Sequence, residues 1–376
     1  MAKRVAEEIS EEAHPYDFHV SGPRNLSTPN WREIINSSWK DVNYRRTVVA
    51  CFVQAVYLLE LDRQENRSED NALAPKWWRP FKYKLSQTLV DDRDSSIFGA
   101  IFEWDRASAM SDFILIRPSG APRAVLALRG TLLKTPTIRR DLEDDLRFLT
   151  WESLKGSIRF TRALEALKLA VERFGSCNVW LVGHSLGAGL ALQIGKAFAK
   201  QGIYIETHLF NPPSVSLAMG LKSIGEKAEY IWKRIKSAVE LGKAKMPSNS
   251  SNEVITVADI EELEKSESEG KMSTGLKKWV PHLYLNNSDY ICCYYMDPAA
   301  GPKPEGDGEE GVKKAGGQLA AKLFVMSKGP QKFLEAHGLE QWWSHDMELQ
   351  LALHNSKLIN RQLKSLYTIP PQVEKP

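Results

Sequence analysis

The sequence predicts an α/β fold with a mostly parallel central sheet flanked by helices, and three observations carry that prediction. From 96 to 211, short runs rich in Ile, Val, Leu and Phe, bounded by Gly or Pro, alternate with amphipathic segments. A strand–insert–strand pattern follows. A Gly-x-Ser-x-Gly pentapeptide falls where an apolar run gives way to an Ala/Gly-rich helical stretch.

Residues 1–30 are polar and acidic, with Pro15, Pro23 and Pro29, and read as a loosely ordered lead-in to a single domain over 31–376. From Trp31 to about Asp62 the apolar positions Val48, Val49, Cys51, Phe52, Ala55, Val56, Leu58 and Leu59 recur at helical spacing. Residues 63–95 are charged and read as a loop, with a short helix around WWRPFKYKL. Strands are expected at 96–104, 112–118 and 123–130, and helices at Asp141–Leu149 and Ile158–Phe174. In the second helix Leu164, Leu167, Ala170 and Val171 share a face. NVWLV (178–182) predicts a buried strand, followed by a helix to about Lys200 and a strand at 204–211. Residues 214–280 predict a helical insertion placed as a cap or lid, and 282–287 returns to strand. Residues 297–317 are rich in Gly, Pro and charge and predict a flexible loop. A strand at AKLFVM and a helix near Met347–Tyr367 close the chain.

Composition removes several functional classes. Lys+Arg number 50 against Asp+Glu 47 without a basic block, which gives no footing for nucleic acid. Cys51, Cys177, Cys292 and Cys293 form no CxxC pair and fit free thiols in a reducing compartment. The first residues carry no apolar leader, and no apolar run reaches the ~18 residues of a membrane span, so a cytoplasmic protein is expected.

The chemistry concentrates in Gly183-His184-Ser185-Leu186-Gly187. A serine on a tight strand-to-helix turn needs small neighbours, and the turn lifts its hydroxyl above the sheet where a histidine can reach it. The following helix offers its N-terminal amides, Leu186 first, to an oxyanion. A second amide is expected from an earlier strand end. Arg129-Gly130-Thr131 closes the run RAVLALRG and nominates Thr131.

Together, LRGT (128–131), RDLEDDLRFL (140–149) and GHSLGAG (183–189) resemble the class 3, fungal-type lipase family of α/β-hydrolases, over roughly 96–345. The intracellular character and long insertion look most like its plant members. The tetrapeptide Gly-Asp-Ser-Leu, whose name is attached to some plant esterases, does not occur. The resemblance implies that the helix carrying Asp141, Asp144 and Asp145 orients the oxyanion loop; a solvated acidic face is the alternative for Asp141 and Asp144.

In this fold the acid and then the histidine follow the serine. Asp289 lies just past the HLYLNN run, as in the family's corresponding segment, with Asp297 as the alternative acid. Three histidines lie further on: His337, His345 and His354. His337, shortly before Trp342 and Trp343, matches the family's placement. His345 reads as a capping or surface residue, and His354 falls inside the last expected helix. His14, His19, His208 and His282 read as structural, and His184 as packing behind the serine.

These assignments imply a serine esterase or lipase acting on acyl lipids or related esters, with no metal or organic cofactor. Ile231, Trp232, Ile235, Val239 and Leu241 of the insertion either pack on the domain, line an acyl pocket or meet a transient membrane or lipid-droplet surface. The competing reading is a catalytically quiet scaffold for binding or signalling. An acyltransferase would use the same machinery with another acceptor.

Overall fold

The computed structural model describes residues 14–24, 39, 41–114, 116–132, 158–213, 279–289, 291–292, 295, 321–326, 331–343 and 349–354. Among these residues, eight strands form one sheet in sequential order. They are β1 (Tyr83–Val90), β2 (Ile97–Trp104), β3 (Ala124–Leu128), β4 (Val179–His184), β5 (Glu206–Phe210), β6 (His282–Asn286), β7 (Ala321–Met326) and β8 (Leu349–His354). β3 to β7 run parallel to one another, with Leu126 opposite Leu181 and Leu209 opposite Leu283. β1, β2 and β8 are added antiparallel at the two edges.

Among the described residues the α-helices are α1 (Phe18–Ser21), α2 (Val42–Gln64), α3 (Arg106–Ser111), α4 (Ile158–Phe174), α5 (Leu186–Lys200) and α6 (Phe333–His337). Apolar side chains leave both faces of the central strands, because each face is covered. Leu126, Leu128, Leu181, Leu209 and Leu283 pack with Phe160, Leu167 and Leu192 of α4 and α5. Their sequence neighbours Val125, Ala127, Val182 and Phe210 pack with Val49, Phe52 and Val56 of α2 on the other side. α2 starts at Asp41, whose carboxylate accepts the Tyr44 N–H at 2.8 Å. Val48 to Val53 are all buried, so α2 has no solvent face there. Near its end, buried Glu60 accepts the Ile97 N–H at 2.8 Å and ties the helix to β2.

Ile158–Phe174 is helical as expected, and β2 to β7 each fall within or against an expected strand, while one expected strand has no counterpart. The described residues of the 112–118 run form no strand: the run follows α3 in a turn, with Phe113 89% and Ile116 82% exposed. Tyr83–Val90, expected as loop and short helix, is an edge strand whose middle is exposed, which accounts for its polar residues. Leu349–His354, expected as helix, is a strand paired with β7. Its alternating Leu349, Leu351 and Leu353 carry the two-residue period. The helix at Asp141–Leu149, nearly all of the 214–280 insertion, the 297–317 loop, Asp297 and His345 lie outside the described residues. Among the described residues no helix is long and apolar enough to cross a membrane.

Three histidines enter this core uncharged. Burial, before any other cause, lowers the affinity of His184, His208 and His282 for a proton, and that of His282 is pushed down to about 2. A folded-state value below the unfolded one, near 6.5, means that the unfolded chain binds more protons as the pH falls. The stability these groups contribute is therefore full above about pH 6.5 and declines on acidification. Urea midpoints at pH 7.5, 6 and 5 should fall in that order, and His282→Gln should make the decline shallower.

Candidate active site

β4 ends at His184 and α5 begins at Leu186, so the whole reversal falls on Ser185, whose φ is 53° and ψ −123°. A non-glycine residue at positive φ is strained, and the surrounding contacts hold it there. The Ser185 N–H donates to the Phe210 carbonyl of β5 at 2.9 Å, and its own carbonyl accepts the N–H groups of Ala188 and Gly189. Both flanking glycines are sterically required. A Cβ on Gly183 would lie 2.4 Å from the Gly187 carbonyl oxygen, and one on Gly187 would lie 2.5 Å from those of Leu128 and Arg129.

Above this turn the structure brings together the serine, acid and first-choice histidine of the sequence reading. The Ser185 hydroxyl and His337 Nε2 are 2.9 Å apart, and His337 Nδ1 lies 2.8 Å from Asp289 Oδ2. All three residues are buried. His337 is the last residue of α6 rather than the opening of a longer helix, and its ring stacks on Phe333 at 5.1 Å. His354 lies in edge strand β8, with its backbone opposite Ala321 at the start of β7.

Asp289 sits in a cage of donors. Its Oδ1 accepts the Ile291 N–H at 3.0 Å, and its Oδ2 accepts Asn211 Nδ2 at 2.6 Å as well as the histidine. The Cys292 thiol approaches the same oxygen at 3.4 Å. Asn211, which follows β5 at φ 47°, also donates to the Ala336 carbonyl beside His337, and its Oδ1 accepts Trp342 Nε1–H at 2.7 Å. One buried amide thus sets the acid and the histidine's segment against each other.

A second chain of hydrogen bonds reaches the histidine from behind. The Gly130 N–H donates to Tyr57 Oη at 2.8 Å, and Tyr57 Oη is 2.8 Å from His184 Nδ1. His184 Nε2 is 2.7 Å from the His337 carbonyl. A carbonyl only accepts, so Nε2 of this neutral ring carries the proton, and Nδ1 accepts the tyrosine hydroxyl. Tyr57 therefore links the end of β3 to the backbone of His337.

The end of β3 is close enough to Ser185 that Gly130 admits no side chain: a Cβ there would lie 2.8 Å from Ser185 Cβ. Buried Arg129 donates through Nε to the Ile97 carbonyl at 2.6 Å and through Nη1 to the Gly130 carbonyl at 2.7 Å. In a trans peptide the N–H opposes the C=O, so this clamp turns the Thr131 amide away from Arg129. Leu186 holds the first helical position after the serine.

The sequence reading did not single out Asn211, Tyr57 or the clamping role of Arg129. Asn211 had a signal, since it ends a parallel strand just before Pro212-Pro213, where α/β sheets place ligands. Tyr57 had none, because a tyrosine within an apolar helix reads as core.

A mostly parallel sheet covered on both faces, with a strained serine between β4 and α5, defines an α/β-hydrolase. An Arabidopsis thaliana protein named as a GDSL esterase/lipase is 31% identical over 363 residues, covering 91% of this chain and 98% of its own. The chain belongs to the esterase/lipase family of that protein. In this chain the serine lies in Gly-His-Ser-Leu-Gly, not in the tetrapeptide of the relative's name. No family model matches. A lipase from Rhizopus microsporus var. chinensis superposes over 88% of this chain and 84% of its own, at 10% identity and a TM-score of 0.35, too remote to carry an argument.

Proposed function

We propose that the chain is a cytoplasmic serine esterase or lipase of the class 3 type, hydrolysing carboxylic esters of acyl lipids or related compounds. The observation that carries this reading is the unbroken buried path from Ser185 Oγ through both nitrogens of His337 to Asp289, at 2.9 and 2.8 Å. His337 Nε2 takes the serine proton as Oγ attacks the ester carbonyl, while Asp289 holds Nδ1–H and stabilises the imidazolium. The amides of Leu186 and Thr131 receive the oxyanion. The imidazolium then protonates the leaving alcohol, and water repeats the sequence on the acyl-enzyme. In this reading residues 31–376 form one domain, and the 214–280 insertion caps the site.

Labelling with a fluorophosphonate probe tests it. Wild type should label, and Ser185→Ala and His337→Ala should not. Folded wild type that fails to label would instead favour a quiet binding scaffold.

Tyr57 is a positioning residue in this scheme. Tyr57→Phe leaves the Gly130 N–H and His184 Nδ1 without their shared partner. We expect kcat on a p-nitrophenyl ester to fall about tenfold, the kinetic equivalent of one lost hydrogen bond, with KM little changed.

A further inference from the structure

The end of the sheet opposite Ser185 carries a second group of side chains with chemistry of their own. Ser185 follows the carboxyl end of β4, whereas Glu206 and His282 are the first residues of the parallel strands β5 and β6. His208 and His282 are direct neighbours in the β5–β6 register, with ring centroids 4.6 Å apart. One ligand atom from each of Glu206, His208 and His282 lies within 4.8 Å of the others. We propose that these three residues bind one divalent transition metal of the Zn²⁺ class, stapling β5 to β6.

The donor set is that of borderline metals, two imidazoles and a carboxylate. Two features of the site favour ligation. His282 is only 7% exposed, and its Nδ1 is buried without a hydrogen-bond partner, an arrangement that costs free energy until something ligates or bonds it. His208 Nδ1 is 3.0 Å from the Tyr284 hydroxyl, while its Nε2 is directed at Glu206 Oε1, 3.2 Å away. A partner on the far nitrogen is how metal-binding histidines are oriented.

Two cations stand nearby and set the terms of binding. Arg45 Nη1 is 2.9 Å from Glu206 Oε1, and Lys322 is the register partner of His282 on β7. The metal has to displace Arg45 from that carboxylate. The Arg45 side chain is 21% exposed and its Nε is buried without a hydrogen-bond partner, so the Nη1 contact to Glu206 is the one the metal replaces. Tetrahedral ligation at about 2.0–2.1 Å brings donor atoms to about 3.3 Å from one another, so the site closes by side-chain rotation. Glu206 is 30% exposed and opens the way in from solvent.

The test uses the full chain, purified with a chelator and then dialysed free of it. Zn²⁺ is titrated by calorimetry and thermal unfolding, and Co²⁺ by visible absorption. Wild type should bind one Zn²⁺ per chain with a rise in Tm, and Co²⁺ should give the intense bands of a low-coordinate site. His282→Ala and Glu206→Gln should each weaken binding at least about tenfold. Arg45→Ala should tighten it, a result that a purely structural Arg45–Glu206 ion pair would not give. Should His282→Ala fail to fold, Glu206→Gln at the solvent edge decides alone. Folded wild type with no saturable binding, or unchanged affinity in the variants, would overturn the proposal.

Discussion

His337→Ala should lower kcat for ester hydrolysis by about 10⁴- to 10⁶-fold while leaving KM within a few-fold of wild type. In the proposed mechanism the side chain does two things. Its Nε2, 2.9 Å from Ser185 Oγ, removes a proton that the hydroxyl does not give up at neutral pH. It then returns that proton to the leaving alcohol. Ground-state binding depends on neither step, so the loss falls on kcat. The double variant with Ser185→Ala should be no worse than either single variant, because the two residues act as one unit. The fold should tolerate the change, since the α6 backbone is held independently by Asn211 through the Ala336 carbonyl and by His184 through the His337 carbonyl. His354→Ala, on edge strand β8, is the control and should keep near-wild-type kcat. A steady-state comparison of the three on one p-nitrophenyl ester is sufficient. A His337→Ala enzyme retaining more than about a tenth of wild-type kcat would remove it from the mechanism.

Asp289→Asn should cost about 10⁴-fold in kcat, and unlike the histidine change it should also cost stability. The described polar neighbours of this carboxylate each present a proton: His337 Nδ1–H, Asn211 Nδ2–H and the Cys292 thiol at Oδ2, and the Ile291 N–H at Oδ1. An amide offers one oxygen and one NH₂, so in either orientation it sets a donor against a donor. With the NH₂ toward His337 the imidazole must move its proton to Nε2, where it can no longer accept from Ser185. With the NH₂ toward Ile291 a buried N–H loses its acceptor, at a cost of about 1–3 kcal/mol. Kinetics and urea unfolding measured together separate the two effects. Asn211→Asp would add a second buried carboxylate beside the first, and the same cage explains why asparagine stands there.

The parts of the molecule that were legible in its sequence are those whose structure is dictated locally. The turn at Ser185 needs its glycines within two residues on either side, and an apolar strand before it and a small-residue helix after it are local patterns too. α4 was legible from end to end because Leu164, Leu167 and Ala170 mark one face of a helix. DFILIRP misled because an apolar run gives the same signal whether it is buried in a sheet or, as with Phe113 and Ile116, exposed. β1 was hidden by its edge position, which lets Lys84, Ser86, Gln87 and Thr88 replace apolar residues. Asp289 and His337 had to be chosen by chain order and resemblance, since their meeting depends on how β6 and α6 come back to the elbow. Tyr57 and Glu206–His208–His282 depend still more on the tertiary arrangement: their partners lie far apart in the chain or across adjacent strands.

Sequential strand order has a consequence for how this molecule comes into being. Each strand's neighbour in the sheet is also its neighbour in the chain, so the sheet can lengthen in the direction of synthesis without waiting for a later segment to slot between earlier ones. β3, β4, α5 and β5 already supply the contacts described above that bend Ser185, including the Phe210 carbonyl. Asp289 and His337 arrive about a hundred residues or more after the serine, when β6 and α6 are laid down. The parts that bend Ser185 therefore precede the acid and the histidine in the chain. On the proposed mechanism, a nascent chain that already carries Ser185 has neither partner until its last third has been made.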